Sequence, residues 1–200
     1  NCLGLYPRAA EPGVKRGAFF LDRDGTINID HVYINDPAQI ELIDGAAEAI
    51  AKAREVGFAI VVVTNQSGIG RKIIEPGALP KIHSRMEQLL VTAAPGALID
   101  RYEMCIHRPD ENCDCRKPSP KMVLEAARQL NIDLQQSVFV GDRLSDVAAG
   151  KNAGCGLSIL VRTGKGQEEE KLIEGSGPEE QPDFVADDLA EAVGYALLRV

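Results

Sequence analysis

Two aspartates stand one residue apart in "LDRDGTIN", residues 21–28. In an extended segment positions i and i+2 point the same way, so Asp22 and Asp24 present two carboxylates to one side. Such a pair can share a hard metal ion or divide the roles of nucleophile and acid/base, and an aspartate can accept a phosphoryl group covalently. The same residues also spell a strand ending in an Asp-Gly turn. Three later stretches carry matching groups. "TNQSG" offers the hydroxyls of Thr64 and Ser67, the amide of Asn65, and backbone N–H groups that can hold phosphate oxygens. Arg116 and Lys117 supply a planar fork and a point charge, both suited to phosphate. "GDRLSD" places Asp142, Arg143 and Asp146, and Asp142 joining Asp22 would complete an oxygen site of the kind Mg²⁺ takes. Each stretch taken alone has a plain alternative, a polar turn or a solvated pair of cations.

A different chemistry sits in "CIHRPDENCDCRKP", residues 105–118, which holds three of the five cysteines and one of the three histidines. Cys105 and His107 are spaced i, i+2, as are Cys113 and Cys115, and the segment between the pairs is long enough to double back. Three thiolates and one imidazole form a closed tetrahedral set with no position left for water, which marks a structural Zn²⁺ rather than a catalytic one. A disulfide would require an oxidising compartment and leave one cysteine odd; reactive thiols are the remaining alternative. Cys115 adjoins Arg116, so a metal here would fix the loop that aims Arg116 and Lys117.

These groups need a frame to bring them together. From residue 18 the apolar pattern alternates between strand and helix. The runs 18–22, 58–64, 102–106, 137–142 and 156–161 read as strands. Segments 45–57, 75–90, 119–131, 144–154 and 186–198 read as helices, with Gly57 closing the first and Ser119-Pro120 opening the third. This alternation predicts an α/β fold, Rossmann-like, with a mostly parallel sheet and helices on both faces. Ligands then bind at the carboxyl ends of the strands. The four motifs sit at four strand ends, and that convergence says more than any one of them.

Composition bounds the rest. Two hundred residues suit one domain, expected over 18–200 after an N-terminal extension over 1–17; 44% hydrophobic residues support a sizeable core. The net charge of −8 argues against a nucleic-acid partner, and no apolar run is long enough to span a membrane. With no secretory signal in view, the cytoplasm is the expected compartment. His83 reads as a surface residue, Cys155 as a small core residue, Cys2 as part of the extension, and the acidic run 168–171 as a solvated face.

The four motifs, in this order, resemble the haloacid dehalogenase (HAD) superfamily of phosphotransferases over residues 18 to about 165. The resemblance implies that Asp22 attacks phosphorus, that Asp24 protonates the leaving group and then activates water, and that Thr64 and Lys117 steady the phosphoryl group. It also implies Mg²⁺ held by Asp22, Asp142 and the backbone carbonyl of Asp24. Only 41 residues lie between Asp22 and Thr64, which leaves no room for the cap domain many members insert. "LDRDGTIN", "TNQSGIGR" and the cysteine loop running into "RKP" are similar to the capless, histidinol-phosphatase-like subfamily and, within it, to the heptose bisphosphate phosphatases. That likeness implies removal of the C7 phosphate of a heptose 1,7-bisphosphate, on the way to activated heptose for cell-surface polysaccharide. Arg116 would bind the C1 phosphate, and Asp30, His31, Tyr33, Asn65, Gln66, Ser67 and Arg143 would line the pocket. The expected partner is a small phosphorylated sugar and the expected state a monomer. Histidinol phosphate remains an alternative substrate, and a zinc-binding interaction module with an inactive core an alternative function. The chain departs from the family pattern at Val32 and Lys72, where glycine is usual.

Overall fold

The computed structural model describes residues 15–200. Cys2 and most of the expected extension lie outside the described residues. Arg16 and Gly17 already belong to the fold: Arg16 bridges to Ile132, and Gly17 accepts a hydrogen bond from Ala59.

The chain runs β1 (Ala18–Leu21), α1 (Ala46–Glu55), β2 (Ala59–Asn65), α2 (Ser67–Gly70), α3 (Ala78–Ala93) and β3 (Arg101–Cys105). It continues through α4 (Lys121–Leu130), β4 (Val138–Gly141), α5 (Leu144–Ala153), β5 (Leu157–Val161), α6 (Gly166–Glu170), β6 (Phe184–Ala186) and α7 (Leu189–Ala196). The strands form one sheet in the order β3-β2-β1-β4-β5-β6, and every pairing is parallel.

Alternation along each strand builds two cores. Phe19, Leu21, Ile60, Val62, Val138 and Val140 face one side and pack against α1, α3 and α7. Ala18, Phe20, Val61, Val63 and Phe139 face the other and pack under α4 and α5. Strands covered on both faces in this way read as continuous apolar runs, which is why "FAIVVVT" carries no polar residue until its end.

The order of the sheet locates the site. The chain lays β1, β2 and β3 outward in one direction, then returns to place β4 against the other side of β1. The loops leaving β1 and β4 therefore diverge, and the crevice between them is where an open parallel sheet binds its ligand. Asp22 follows β1, and its backbone N–H still bonds to Val140 of β4 at 2.9 Å. Asp142 follows β4. Topology thus brings the first and last motifs side by side.

Some local readings shift. The third predicted helix begins at Lys121, with Ser119 Oγ accepting from its backbone N–H at 3.3 Å. Strand β6, absent from the sequence reading, is three residues long and half-buried. The acidic run is not simply solvated: Glu169 accepts from the backbone N–H of Leu144 at 3.0 Å, which caps α5, and Glu170 pairs with Arg162 at 2.7 Å.

Candidate active site

A cavity of about 450 Å³ opens over the carboxyl ends of the strands. Asp22 and Asp24 line it from β1, Thr64, Asn65 and Ser67 from β2, and Arg116 and Lys117 from the cysteine loop; Arg143, Ser145 and Asp146 line it from α5. Asp30, Val32 and Tyr33 close one rim.

Lys117 organises the floor. Its buried ammonium donates to the carbonyl of Val63 at 2.8 Å and pairs with Asp22 Oδ1 at 2.9 Å and Asp146 Oδ1 at 2.7 Å. Burial alone would lower its pKa, but the charges of Asp146 and Asp22 win and raise it. Lys117 is therefore a fixed cation. Asp22 Oδ1 also accepts from the Arg23 backbone at 2.7 Å. Both bonds fall on one oxygen, so among the described residues the second carries no protein hydrogen bond.

Asp22, Asp142 and Asp146 bring one oxygen each within 4.8 Å of one another. Asp142 is the least compensated. Its Oδ2 accepts from the Lys165 backbone at 2.8 Å, while its buried Oδ1 has no partner. Burial first, and then the charges of Asp22 and Asp146, push its pKa up to about 8. An orphaned oxygen beside like charges is what a bound cation would resolve, and a hard all-oxygen set suits Mg²⁺. Glycine backbone makes room for the Asp142 carboxylate itself: a Cβ at Gly25 or Gly164 would lie 2.3 Å from its Oδ2. Asp146 is occupied by Lys117 and the Arg143 backbone, which places it behind such an ion rather than on it.

Asp24 faces a different set of groups. Its oxygens accept from Arg23, from Asn28 at 3.0 Å and from Gln66 at 2.9 Å. Burial opposes ionisation, but Arg23 and the hydrogen bonds hold its pKa below the usual range. Gln66 is buried and also donates to Thr64 Oγ1 at 2.9 Å, so it acts from behind the wall instead of lining the cavity. His31 turns outward, 3.6 Å from Glu41, and is not among the lining residues.

The cysteine loop closes on itself. Cys105 Sγ lies 3.5 Å from Cys113 Sγ and 3.7 Å from His107 Nδ1. Cys115 Sγ lies 3.3 Å from that nitrogen and 3.9 Å from Cys113 Sγ. A tetrahedral Zn²⁺ with bonds of about 2.3 Å to sulfur and about 2.0–2.1 Å to nitrogen requires ligand edges of roughly 3.5–3.8 Å. The observed edges bracket that range, and the cysteines are free thiols rather than disulfides. Backbone N–H groups of Cys115 and Arg116 point at Cys113, and together with its neighbours they outweigh burial and lower its pKa, as a thiolate ligand needs. The contact with the Arg116 backbone joins the cluster to the pocket. A further tie is the bond from the Lys117 backbone to Asn65 Oδ1 at 3.2 Å.

Sequence reasoning missed Lys165 and the roles of Arg23 and Asn28. Lys165 sits in "TGKG" beyond β5, another strand end at the same edge of the sheet, so topology alone would have flagged it. His83, expected at the surface, is buried at 1% exposure against Tyr102 and Arg23.

The sheet order, the paired aspartates after β1 and the lysine-bridged carboxylates define a HAD-like phosphatase, and a HAD-hydrolase-like family model matches residues 114–192. D-glycero-beta-D-manno-heptose-1,7-bisphosphate 7-phosphatase of Photorhabdus laumondii is 44% identical over 155 residues, covering 74% of this chain and 81% of that protein. The protein of the same name from Escherichia coli K12 is 43% identical over 155 residues, covering 74% and 80%. A crystal structure of D,D-heptose 1,7-bisphosphate phosphatase from B. bronchiseptica, complexed with magnesium and phosphate, superposes with a TM-score of 0.81 at 36% identity, over 92% of this chain and 99% of that one. The chain belongs to the heptose-1,7-bisphosphate 7-phosphatase family.

Proposed function

We propose that this chain removes the C7 phosphate of D-glycero-D-manno-heptose 1,7-bisphosphate by way of an aspartyl-phosphate. The observation that carries the reading is the pair Asp22 and Asp24, opening on one cavity beside Lys117, in a chain of this family. The free oxygen of Asp22 attacks phosphorus and the P–O bond to C7 breaks. Asp24 is held ionised in the resting site, so it takes up a proton as the anionic phosphate binds beside it. It delivers that proton to the departing sugar oxygen, then takes a proton from the water that hydrolyses the acyl phosphate. Thr64 and Lys117 hold the phosphoryl oxygens. Asp22, Asp142 and the Asp24 backbone would hold Mg²⁺, which supplies the positive charge that lets a carboxylate approach an anionic phosphate.

With no cap among the described residues to enclose the substrate, recognition falls to the rim. Arg116 has a buried Nη1 without a partner, which suits it to the C1 phosphate. Asp30, Tyr33, Asn65, Ser67 and Arg143 are placed to meet the sugar, and His31 and Gln66 act on that wall from outside and behind it. Thiol ligands for zinc fit a reducing compartment, so we place the enzyme in the cytoplasm, working as a monomer on a small sugar phosphate. No described helix is long and apolar enough to cross a membrane.

A phosphate-release panel tests the reading, with both anomers of the bisphosphate, histidinol phosphate and an aryl phosphate, each with and without Mg²⁺. The bisphosphate should give the highest kcat/KM, and only with Mg²⁺. Preference for histidinol phosphate, or no Mg²⁺-dependent turnover at all, overturns it.

A further inference from the structure

Arg23 separates the two aspartates assigned to the chemistry, yet it is only 1% exposed. A buried guanidinium is costly unless its donors are answered. Nε and Nη2 donate to Asp24 Oδ1 at 3.1 and 2.8 Å, and Nη2 donates to Oδ2 at 2.6 Å. The fork thus grips both oxygens of one carboxylate. The other arm, Nη1, reaches Nε2 of His83 on α3 at 3.5 Å. His83 lies flat on Tyr102 of β3, with ring centroids 4.3 Å apart and planes 11° apart. Burial first, and then the charge of Arg23, push its pKa down to about 3, so the ring is neutral at pH 7 and the nitrogen facing Arg23 accepts. The stack fixes the ring plane and, with it, the direction of that lone pair.

Packing alone does not account for a histidine here. Phenylalanine would stack on Tyr102 equally well and would not bury Nδ1, which has no hydrogen-bond partner. What histidine adds is an acceptor for Arg23. None of Tyr102, His83 and Arg23 lines the cavity, yet together they run from the edge strand through the core to its wall.

We infer that His83 and Arg23 are positioning residues that set the carboxylate of Asp24 against the leaving group. The inference rests on the assignment of Asp24 as acid/base. Once substrate phosphate beside it has led Asp24 to take up a proton, that proton moves to the sugar oxygen as the P–O bond breaks, so misplacing the carboxyl group slows departure of a basic alkoxide. An aryl oxide such as p-nitrophenolate leaves without that proton.

The test compares heptose 1,7-bisphosphate with p-nitrophenyl phosphate at saturating Mg²⁺. The value of kcat/KM covers the steps up to loss of the leaving group and excludes the later hydrolysis. His83→Phe should lower it for the sugar by about ten- to a hundredfold, and for the aryl ester by less than about threefold. His83→Gln, which places an amide group near the position of Nε2, should recover most of the loss. Arg23→Lys, which keeps the charge but cannot grip two oxygens, should show the same selective loss. Equal losses on both substrates, or an unchanged value for the sugar, overturn the inference. Where His83→Phe fails to fold, Arg23→Lys decides by the same ratio. A wild-type protein inactive on both substrates sinks the assignment of the site itself, whereas an active wild type with unselective variants sinks only the positioning role.

Discussion

The cysteine loop and the aspartate floor each gather metal-ligating atoms within 4.8 Å, and they are built on opposite rules. The loop supplies three soft thiols and an imidazole with tetrahedral edges already in place, and its backbone aims N–H groups at a thiol. The floor supplies hard oxygens that repel one another, with one left unpartnered and a fixed lysine to share. The first arrangement is complete once an ion enters; the second still has room for substrate. A closed site stabilises a loop, whereas an open one keeps unresolved charge where chemistry needs it. The two meet at neighbouring residues, Cys115 belonging to one and Arg116 and Lys117 to the other.

The sharpest way to break the comparison is to disable one centre and find the other intact. Asp22→Asn should abolish phosphate release, by at least about four powers of ten, as loss of a covalent nucleophile does. Its zinc content by elemental analysis should stay at one per chain. Residual activity within tenfold of wild type would remove Asp22 from its role.

Breaking the loop should cost less and differently. Cys113→Ser should lose zinc and lower kcat/KM for the bisphosphate by about ten- to a hundredfold, the usual cost of disturbing a metal's supporting structure. Turnover of an aryl phosphate should fall much less. Arg116→Ala should reproduce that selectivity with zinc retained. Wild-type kinetics in zinc-stripped protein would show that the loop and the pocket are uncoupled.

The open site should also reveal itself through pH. In metal-free protein Asp142 keeps its proton to about pH 8, while the unfolded chain releases it in the ordinary carboxylate range. Stability of the metal-free form should therefore fall as pH rises from about 4 towards 8, and Mg²⁺, which displaces that proton, should bind more tightly along the same interval. The Tm gain from saturating Mg²⁺ should be larger at pH 8 than at pH 6. Equal gains would mean that Asp142 is not the group displaced.

The smallest expected effect separates the two loops by backbone strain. Asn112 in the cysteine loop and Val32 in the rim both adopt left-handed backbone, with φ of 47° and 65°. Asparagine tolerates that region, but a β-branched residue there is strained. Val32 is 75% exposed and packs little. Val32→Gly should raise unfolding free energy by up to about 1 kcal/mol in urea titrations, after the entropy cost of glycine is deducted. A loss of stability would show that the valine side chain is needed at the rim.

Much of this was legible in the sequence, for reasons visible in particular residues. Buried parallel strands declare themselves as apolar runs, and the polar residues that end them meet around one cavity. Ligand spacing in the cysteine loop was readable because i, i+2 pairs require no long-range knowledge. His83 was not readable, because its face of α3 is buried only where Arg23 and Tyr102 converge on it from two other elements. β6 was missed because three half-buried residues carry no period. Val32 and Lys72 stood out as departures from a glycine pattern, and both sit at positive φ, 65° and 58°. The backbone requirement survives there without the residue that satisfies it most easily.

Gly25 and Gly164 carry a consequence for how such a chain can drift. They lie 139 positions apart, yet a methyl group on either would occupy the space of the same Asp142 oxygen and crowd the α-carbon of the other. Neither contributes a functional group, and a survey of side-chain chemistry would pass over both. In a saturation library, every one of the alternatives at either position should score with the Asp142 substitutions rather than with ordinary loop changes. A second mutation in one cannot rescue the other, because both already have the smallest side chain available. The sequence therefore has two silent positions that selection must hold as firmly as Asp142 itself.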